Sequence, residues 1–129
     1  MSETFDSVIY VADFDLERGE VSNRRVFAKL DAGGADGAAV DAEGCYWTAN
    51  ILCGRVIRFH PDGTIDRILP VPITHPTAVA FGGRDLDELY ITSARRRLDA
   101  AGRAREPQAG GIFRCRVDVR GLPEPQYRV

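Results

Sequence analysis

The chain has 129 residues, 44% of them apolar and 28% charged, and its 17 basic and 19 acidic side chains leave a net charge of −2. That balance excludes a disordered or collagen-like chain, and it argues against a dedicated nucleic-acid binder, which would carry a basic field. Apolar runs are only a few residues long, so neither a membrane span nor a signal-peptide core is expected, and the length suits one domain over residues 1–129.

Helical periodicity is scarce. What recurs along the chain is short runs of β-branched and aromatic residues bounded by turn residues. The first predicted strand is 8–14, and 25–28 follows across the turn Glu17-Arg18-Gly19-Glu20. Strands are then predicted at 37–41, 45–49, 55–60 and 64–69, and finally at 77–81, 88–92 and 111–117. Turn signals fill the gaps: Ala42-Glu43-Gly44, Pro61-Asp62-Gly63 and Gly82-Gly83-Arg84-Asp85. Nine or ten short strands joined by tight turns make an all-β meander.

The strands also repeat. Ala38-Ala39-Val40-Asp41 with Tyr46-Trp47-Thr48-Ala49 has the form of Ala78-Val79-Ala80-Phe81 with Leu89-Tyr90-Ile91-Thr92. Gly54-Arg55-Val56-Ile57-Arg58-Phe59 likewise matches Gly111-Ile112-Phe113-Arg114-Cys115. The first pairs lie about 40 residues apart, the period of a four-stranded propeller blade. Two repeats and the leading hairpin amount to about two and a half blades of a β-propeller, whereas closed propellers typically have 4–8. Unpaired strand edges are therefore expected at both ends, as in part of something larger. The second repeat carries an insertion, residues 95–108, that begins Arg95-Arg96-Arg97. It reads either as a mobile surface loop with a solvated charge run or as a lid over an anionic substrate.

Asp36 lies between Gly33-Gly34 and Gly37, where the backbone can turn sharply and aim a carboxylate, and by its neighbours alone it reads first as an Asx-turn or loop carboxylate. Such a carboxylate suits a hard cation and a bound water, or it caps an Asx-turn. His60 and His75 each abut Pro and read as exposed loop histidines. Asp41 and Glu43 read as turn-setting carboxylates, and one ring of Tyr46 and Trp47 is expected to pack between blades. Asn50 and Ser93 end equivalent strands and are either channel-facing or ordinary turn residues. Cys45, Cys53 and Cys115 are odd in number and lack a CxxC pair, which fits reduced thiols in a cytoplasmic protein. Cys45 and Cys115 sit in strands as small apolar groups. The sequence holds no Ser-His-Asp constellation, phosphate-cradling Gly loop or Cys/His zinc spacing.

An ordered set of segments resembles the SMP-30/gluconolactonase/luciferin-regenerating-enzyme-like family, which includes regucalcin. It starts with Ser2-Glu3-Thr4-Phe5, Phe14-Asp15, Gly19 and Ser22-Asn23-Arg24-Arg25-Val26-Phe27-Ala28. Asp36-Gly37-Ala38-Ala39-Val40-Asp41-Ala42-Glu43-Gly44 with Tyr46-Trp47-Thr48-Ala49 resembles the family's PDG-x-x-x-D-x-x-G-x-x-W-x-A signature. Gly54-Arg55-Val56, Pro61-Asp62-Gly63, Leu69-Pro70-Val71, Pro76-Thr77 and Phe81-Gly82-Gly83 continue the match. It closes with Leu89-Tyr90-Ile91-Thr92-Ser93-Ala94 and Ala109-Gly110-Gly111-Ile112-Phe113.

The resemblance implies a six-bladed propeller of roughly twice this length, of which this chain matches the C-terminal half. It implies one divalent cation in a central channel, Ca²⁺, Zn²⁺ or Mn²⁺, and metal-assisted attack of water on sugar lactones such as gluconolactone. The family holds its cation with a Glu, an Asn and the Asp of the PDG motif. Only the last maps here, onto Asp36, with Ala35 in place of the Pro. Asp36 is thus the expected metal ligand and catalytic carboxylate. The other ligands, and the family's substrate-contacting Arg and Asn, map before Met1. Activity is then expected to need a complementary propeller half or self-association through exposed strand edges. The alternative is a non-catalytic propeller fragment or interaction module.

Overall fold

Alternation of apolar and polar side chains, broken by glycine-bearing turns, folds the described residues into ten antiparallel strands. The computed structural model describes residues 2–3 and 6–125, with side chains from residue 6 onward. Met1, Thr4 and Phe5 of the leading motif lie outside the described residues. Strands β1 (Ser2–Glu3), β2 (Val8–Asp15) and β3 (Glu20–Lys29) form one sheet. Strands β4 (Gly34–Val40), β5 (Tyr46–Ile51), β6 (Arg55–Phe59) and β7 (Ile65–Pro70) form a four-stranded sheet in chain order. The third sheet contains β8 (Pro76–Gly82), β9 (Glu88–Ser93) and β10 (Ile112–Arg116). One full blade flanked by two three-stranded sheets is the partial β-propeller expected from the repeats. The insertion differs from expectation: it holds a short helix, α1 (Ala100–Arg105), capped by the Asp99 side chain on the Gly102 amide.

The middle sheet is covered on both faces, so β5 and β6 are buried almost throughout. Successive side chains point to opposite faces. Val56 joins Trp47, Ala49, Val79, Leu89 and Ile91 in the core toward the third sheet, whereas Ile57 and Phe59 join Ile9, Ala28 and Ala35 toward the first. Both rings, rather than one, pack between blades: Trp47 meets Phe81 edge-on at 5.8 Å, and Tyr46 meets Phe27 edge-on at 5.9 Å.

One end of the middle sheet is closed by a buried charge cluster. Asp41 follows β4 and is fully buried. Its Oδ1 accepts the amides of Glu43 and Cys45, and its Oδ2 accepts Trp47 Nε1 and Arg58 Nε, each at 2.8 Å. This confirms the turn-setting reading of Asp41. Arg58, buried on β6, also donates to Glu43 at 2.6 Å and Asp66 at 3.0 Å. The chain beyond β10 crosses the same end. There Ala42 N–H donates to Arg120 O, Asp41 bridges to Gly121, and Arg67 pairs with Asp118.

Burial by itself would raise the Asp41 pKa, but the bonds from Trp47, Arg58 and the Cys45 amide hold it below the usual carboxylate value. A carboxylate depressed in the folded state contributes its full stability above its unfolded pKa of about 3.9, and loses it as the pH falls through the folded value. Asp41→Ala is expected to cost about 3–5 kcal/mol in urea unfolding, because Arg58 stays buried without its one fully buried carboxylate partner. In acid below about pH 4, the Tm of the wild type is expected to fall more steeply than that of Asp41→Asn, read by circular dichroism.

Candidate active site around Asp36

At the opposite end of β4 the ladder is irregular. Ala35 pairs with Asn50 and Ala38 with Thr48, so Asp36 and Gly37 occupy a bulge. Strand β8 repeats the device: Pro76 pairs with Ser93 and Ala78 with Thr92, leaving Thr77 in the irregularity. A bulge re-aims side chains that a regular pleat would send to alternate faces. Gly37 is required here by close approach, because a Cβ would lie 2.7 Å from Ala78 Cα and 2.9 Å from Thr77 O. The two bulges therefore touch, and the side chains beside them face one space.

The backbone leading to Asp36 is pinned from behind. Asn50 is fully buried and donates to Ala32 O and Gly34 O, both at 3.1 Å, while its oxygen accepts Arg55 Nε at 2.6 Å. Arg55 also pairs with Asp31. Gly33, at φ +65°, makes the turn between them. Thr48 Oγ1 donates to the Asp36 carbonyl at 3.2 Å. Asn50 is thus a support for the site rather than a channel-facing group. Its counterpart Ser93 donates to Gly111 O at 2.7 Å and accepts the Gly110 amide at 3.0 Å, closing the insertion onto β9.

Asp36, His75 and Thr77 line one cavity of about 310 Å³, with Ile51 and Leu52 on its apolar wall and Arg96 and Arg97 at its rim. The Asp36 side chain is half-buried; desolvation pushes its pKa up, against a hydrogen bond from the Gly37 amide that pulls it down. Here the structure corrects the sequence reading of His75. Although it precedes a proline, it is only 6% exposed, and its Nδ1 has no hydrogen-bond partner among the described residues. A buried polar nitrogen without a partner costs about 1–3 kcal/mol, so it marks a position where a ligand atom is favoured. The adjacent Pro76 hid this, because a bulged inner strand leaves the same Pro signature as a surface turn.

The insertion is tied to the core at both ends, which differs from a mobile loop. Ala94 N–H donates to His75 O at 2.9 Å, and Glu106 accepts the Thr74 amide at 2.7 Å together with the Thr74 hydroxyl. Ala109 is buried in the core. Between these ties Arg97 adopts a left-handed backbone at φ 72°.

The remaining candidates lie elsewhere. His60 is exposed, as expected; it stands 3.4 Å from Asp66, and its Nδ1 is 3.9 Å from Cys45 Sγ. Cys45 is buried and burial pushes its thiol pKa up, so it stays protonated and inert as a nucleophile. Cys115 is half-buried, and burial raises its pKa as well. As for a cation, no three His, Cys, Asp or Glu side chains stand together among the described residues to hold one. Asp36 offers one hard oxygen donor where Ca²⁺ takes six to eight, so these residues do not by themselves build the ion's site.

Residues 1–95 match the family described as the SMP-30/Gluconolactonase/LRE-like region. The chain is 43% identical over 129 residues to a 6-deoxy-6-sulfogluconolactonase of Pseudomonas putida, covering 98% of this chain and 44% of that protein. It is 40% identical to the regucalcin of Oryctolagus cuniculus, covering 95% of this chain and 43% of the relative. A crystal structure described as a calcium-binding protein, regucalcin, from Agrobacterium tumefaciens superposes with a TM-score of 0.90 at 34% identity, covering 98% of this chain and 44% of that one. The chain therefore spans less than half the length of these relatives.

The Asp36 geometry has a thermodynamic signature. A carboxyl whose folded pKa is raised binds its proton more tightly when folded, so its ionisation opposes folding at pH values above the folded pKa. Asp36→Asn is expected to raise the Tm at pH 7, with the gain disappearing as the pH drops below the unfolded value of about 3.9. Carboxyl-carbon NMR titration is expected to place Asp36 above an ordinary aspartate.

Proposed function

The chain belongs to the SMP-30/gluconolactonase/LRE-like family, and we propose that it is the part of a metal-dependent sugar lactonase that carries the catalytic carboxylate, Asp36. The observation that supports this most directly is the bulge in β4, which sets a half-buried carboxylate with a raised pKa in a cavity large enough for one small ligand. In this reading Asp36 also supplies one oxygen to a divalent cation, Ca²⁺, Zn²⁺ or Mn²⁺. The remaining ligands come from outside the described residues, through a complementary propeller half or a second copy. Bound there, the cation would serve as a Lewis acid.

The chemistry open to Asp36 itself is general-base catalysis. As a carboxylate it orients a water and accepts its proton while the water oxygen bonds to the lactone carbonyl carbon. The ring C–O bond then breaks, and the ring oxygen takes that proton as the new hydroxyl of the opened acid. Only the ionised carboxylate can accept that proton, so activity is expected to rise with pH as Asp36 ionises.

No helix among the described residues is long and apolar enough to cross a membrane. The free thiols Cys45, Cys53 and Cys115 support a reducing compartment such as the cytoplasm. A second reading, a non-catalytic binding module, draws on a separate groove of about 450 Å³ in which Tyr10, Phe14, Val21 and Val40 are prominent.

Calorimetric titration with Ca²⁺, Zn²⁺ and Mn²⁺ separates the two, with proton release from gluconolactone as the activity measure. Weak cation binding that disappears in Asp36→Ala is expected, with lactone opening reduced by about 10²-fold or more. Equal cation binding by both proteins would remove Asp36 from the metal site, and absence of any Asp36-dependent opening once a complementary propeller half is supplied would leave the binding-module reading.

A further inference from the structure

The hairpin between β5 and β6 holds Leu52 in a left-handed backbone, at φ 73°. A side chain is unfavourable in that conformation, and glycine or asparagine is its usual occupant. Other left-handed residues have a local reason for their identity. Ser7 donates its hydroxyl to Gly33 O, Asn23 donates its amide to Asp13, and Leu86 is half-buried. Leu52 is 54% exposed, so core packing does not account for it. The conformation is imposed from outside. Cys53 N–H donates to Asn50 O at 3.3 Å, Gly54 N–H to Thr74 O at 3.3 Å, and Val71 N–H to Gly54 O at 2.8 Å. A strained residue pinned by its surroundings points to a role in function.

Leu52 stands between two hollows. On one side is the Asp36 cavity of about 310 Å³, where Leu52 shares the apolar wall with Ile51. On the other is a hollow of about 340 Å³ lined by Val71, Ile73, Thr74 and Glu106. The segment leading into β8 completes the partition, since Thr74 lines the second hollow and His75 the first. Glu106 accepts the Thr74 amide and Ala94 N–H donates to His75 O, so that segment is tied on both sides. His75 marks the first space as polar, because its imidazole is more than nine-tenths buried and its Nδ1 lacks a partner among the described residues. Either hollow alone is at the small end for ligand sites and suits one sugar unit; joined, they would hold two.

We propose that Leu52 is a specificity-determining residue of the Asp36 cavity, a partition that ends the space after one sugar unit and excludes ligands that extend into the neighbouring hollow. The proposal rests on the lactonase reading for the sugar nature of the ligand. Leu52 acts by bulk, so the exclusion is indifferent to salt.

Opened sugar acids serve as probes, because they do not hydrolyse during the measurement. Calorimetry on the full chain compares gluconate with lactobionate and melibionate, which carry a second sugar unit on different oxygens of the same acid. Wild type is expected to bind gluconate about tenfold or more tightly than either disaccharide acid. Leu52→Gly and Leu52→Ala should each bring at least one of the two to within about threefold of gluconate, with gluconate binding itself unchanged. Leu52→Met keeps the bulk and should keep the exclusion. Leu52→Gly also removes the strain and is not expected to lower the Tm; a fall of more than about 5 °C would show a packing role and overturn the argument. Equal binding of all three acids by the wild type, an exclusion that survives both small variants, or no binding of any acid would overturn it as well. The two readings fail separately. A Leu52-dependent exclusion without Asp36-dependent cation binding or lactone opening brings down the lactonase reading, whereas Asp36-dependent opening without that exclusion brings down the partition alone.

Discussion

Arg58 places a full positive charge inside the middle sheet, and the surrounding arrangement has to compensate it. Burial works against the guanidinium, but bonds to Glu43, Asp66 and Asp41 outweigh that and hold it charged. Its partners come from the turn after β4 and from β7, while Asp41 in turn holds the indole of β5. One side chain on β6 thereby fixes the relative positions of all four strands at one end of the blade. Because Trp47 then presses edge-on against Phe81, the same cluster also sets how the third sheet sits on the second.

With that end fixed, the opposite end is where the geometry can depart from a regular pleat. Both inner strands, β4 and β8, carry an extra residue there, and Gly37 lets them come together without a side chain between them. The contact sets Asp36, Thr77 and His75 around one space. A rigid charged clamp and a bulged mouth at opposite ends of one strand divide the work between holding the fold and presenting chemistry.

Strand content and the blade repeat were legible because period-two alternation and Gly, Pro and Asp turns are local signals. Asp36 is singled out by the resemblance of its segment to the family's signature, since its three neighbouring glycines alone fit an ordinary Asx-turn. His75 was misread as an exposed loop residue, since whether a His-Pro pair lies in a surface turn or a buried bulge depends on a neighbouring sheet more than ten residues away. Asn50 was ambiguous for a similar reason: its partners Ala32, Gly34 and Arg55 become its neighbours only after strands pair. The Asp41–Arg58 cluster was half visible, with Asp41 read as a turn setter. Its pairing with an arginine 17 positions away follows from the register of three strands and from nothing in the intervening residues.

The strap from Ala94 to Gly110 leaves and re-enters the core at fixed points, while the span between bears almost no core side chains. Selection can therefore rewrite that span, its arginines included, without disturbing strand register or the Arg58 clamp. The rim of the cavity and the residues that hold the fold are thus encoded in separable stretches of sequence. Change within that span would then alter the rim of the cavity while every strand kept its place.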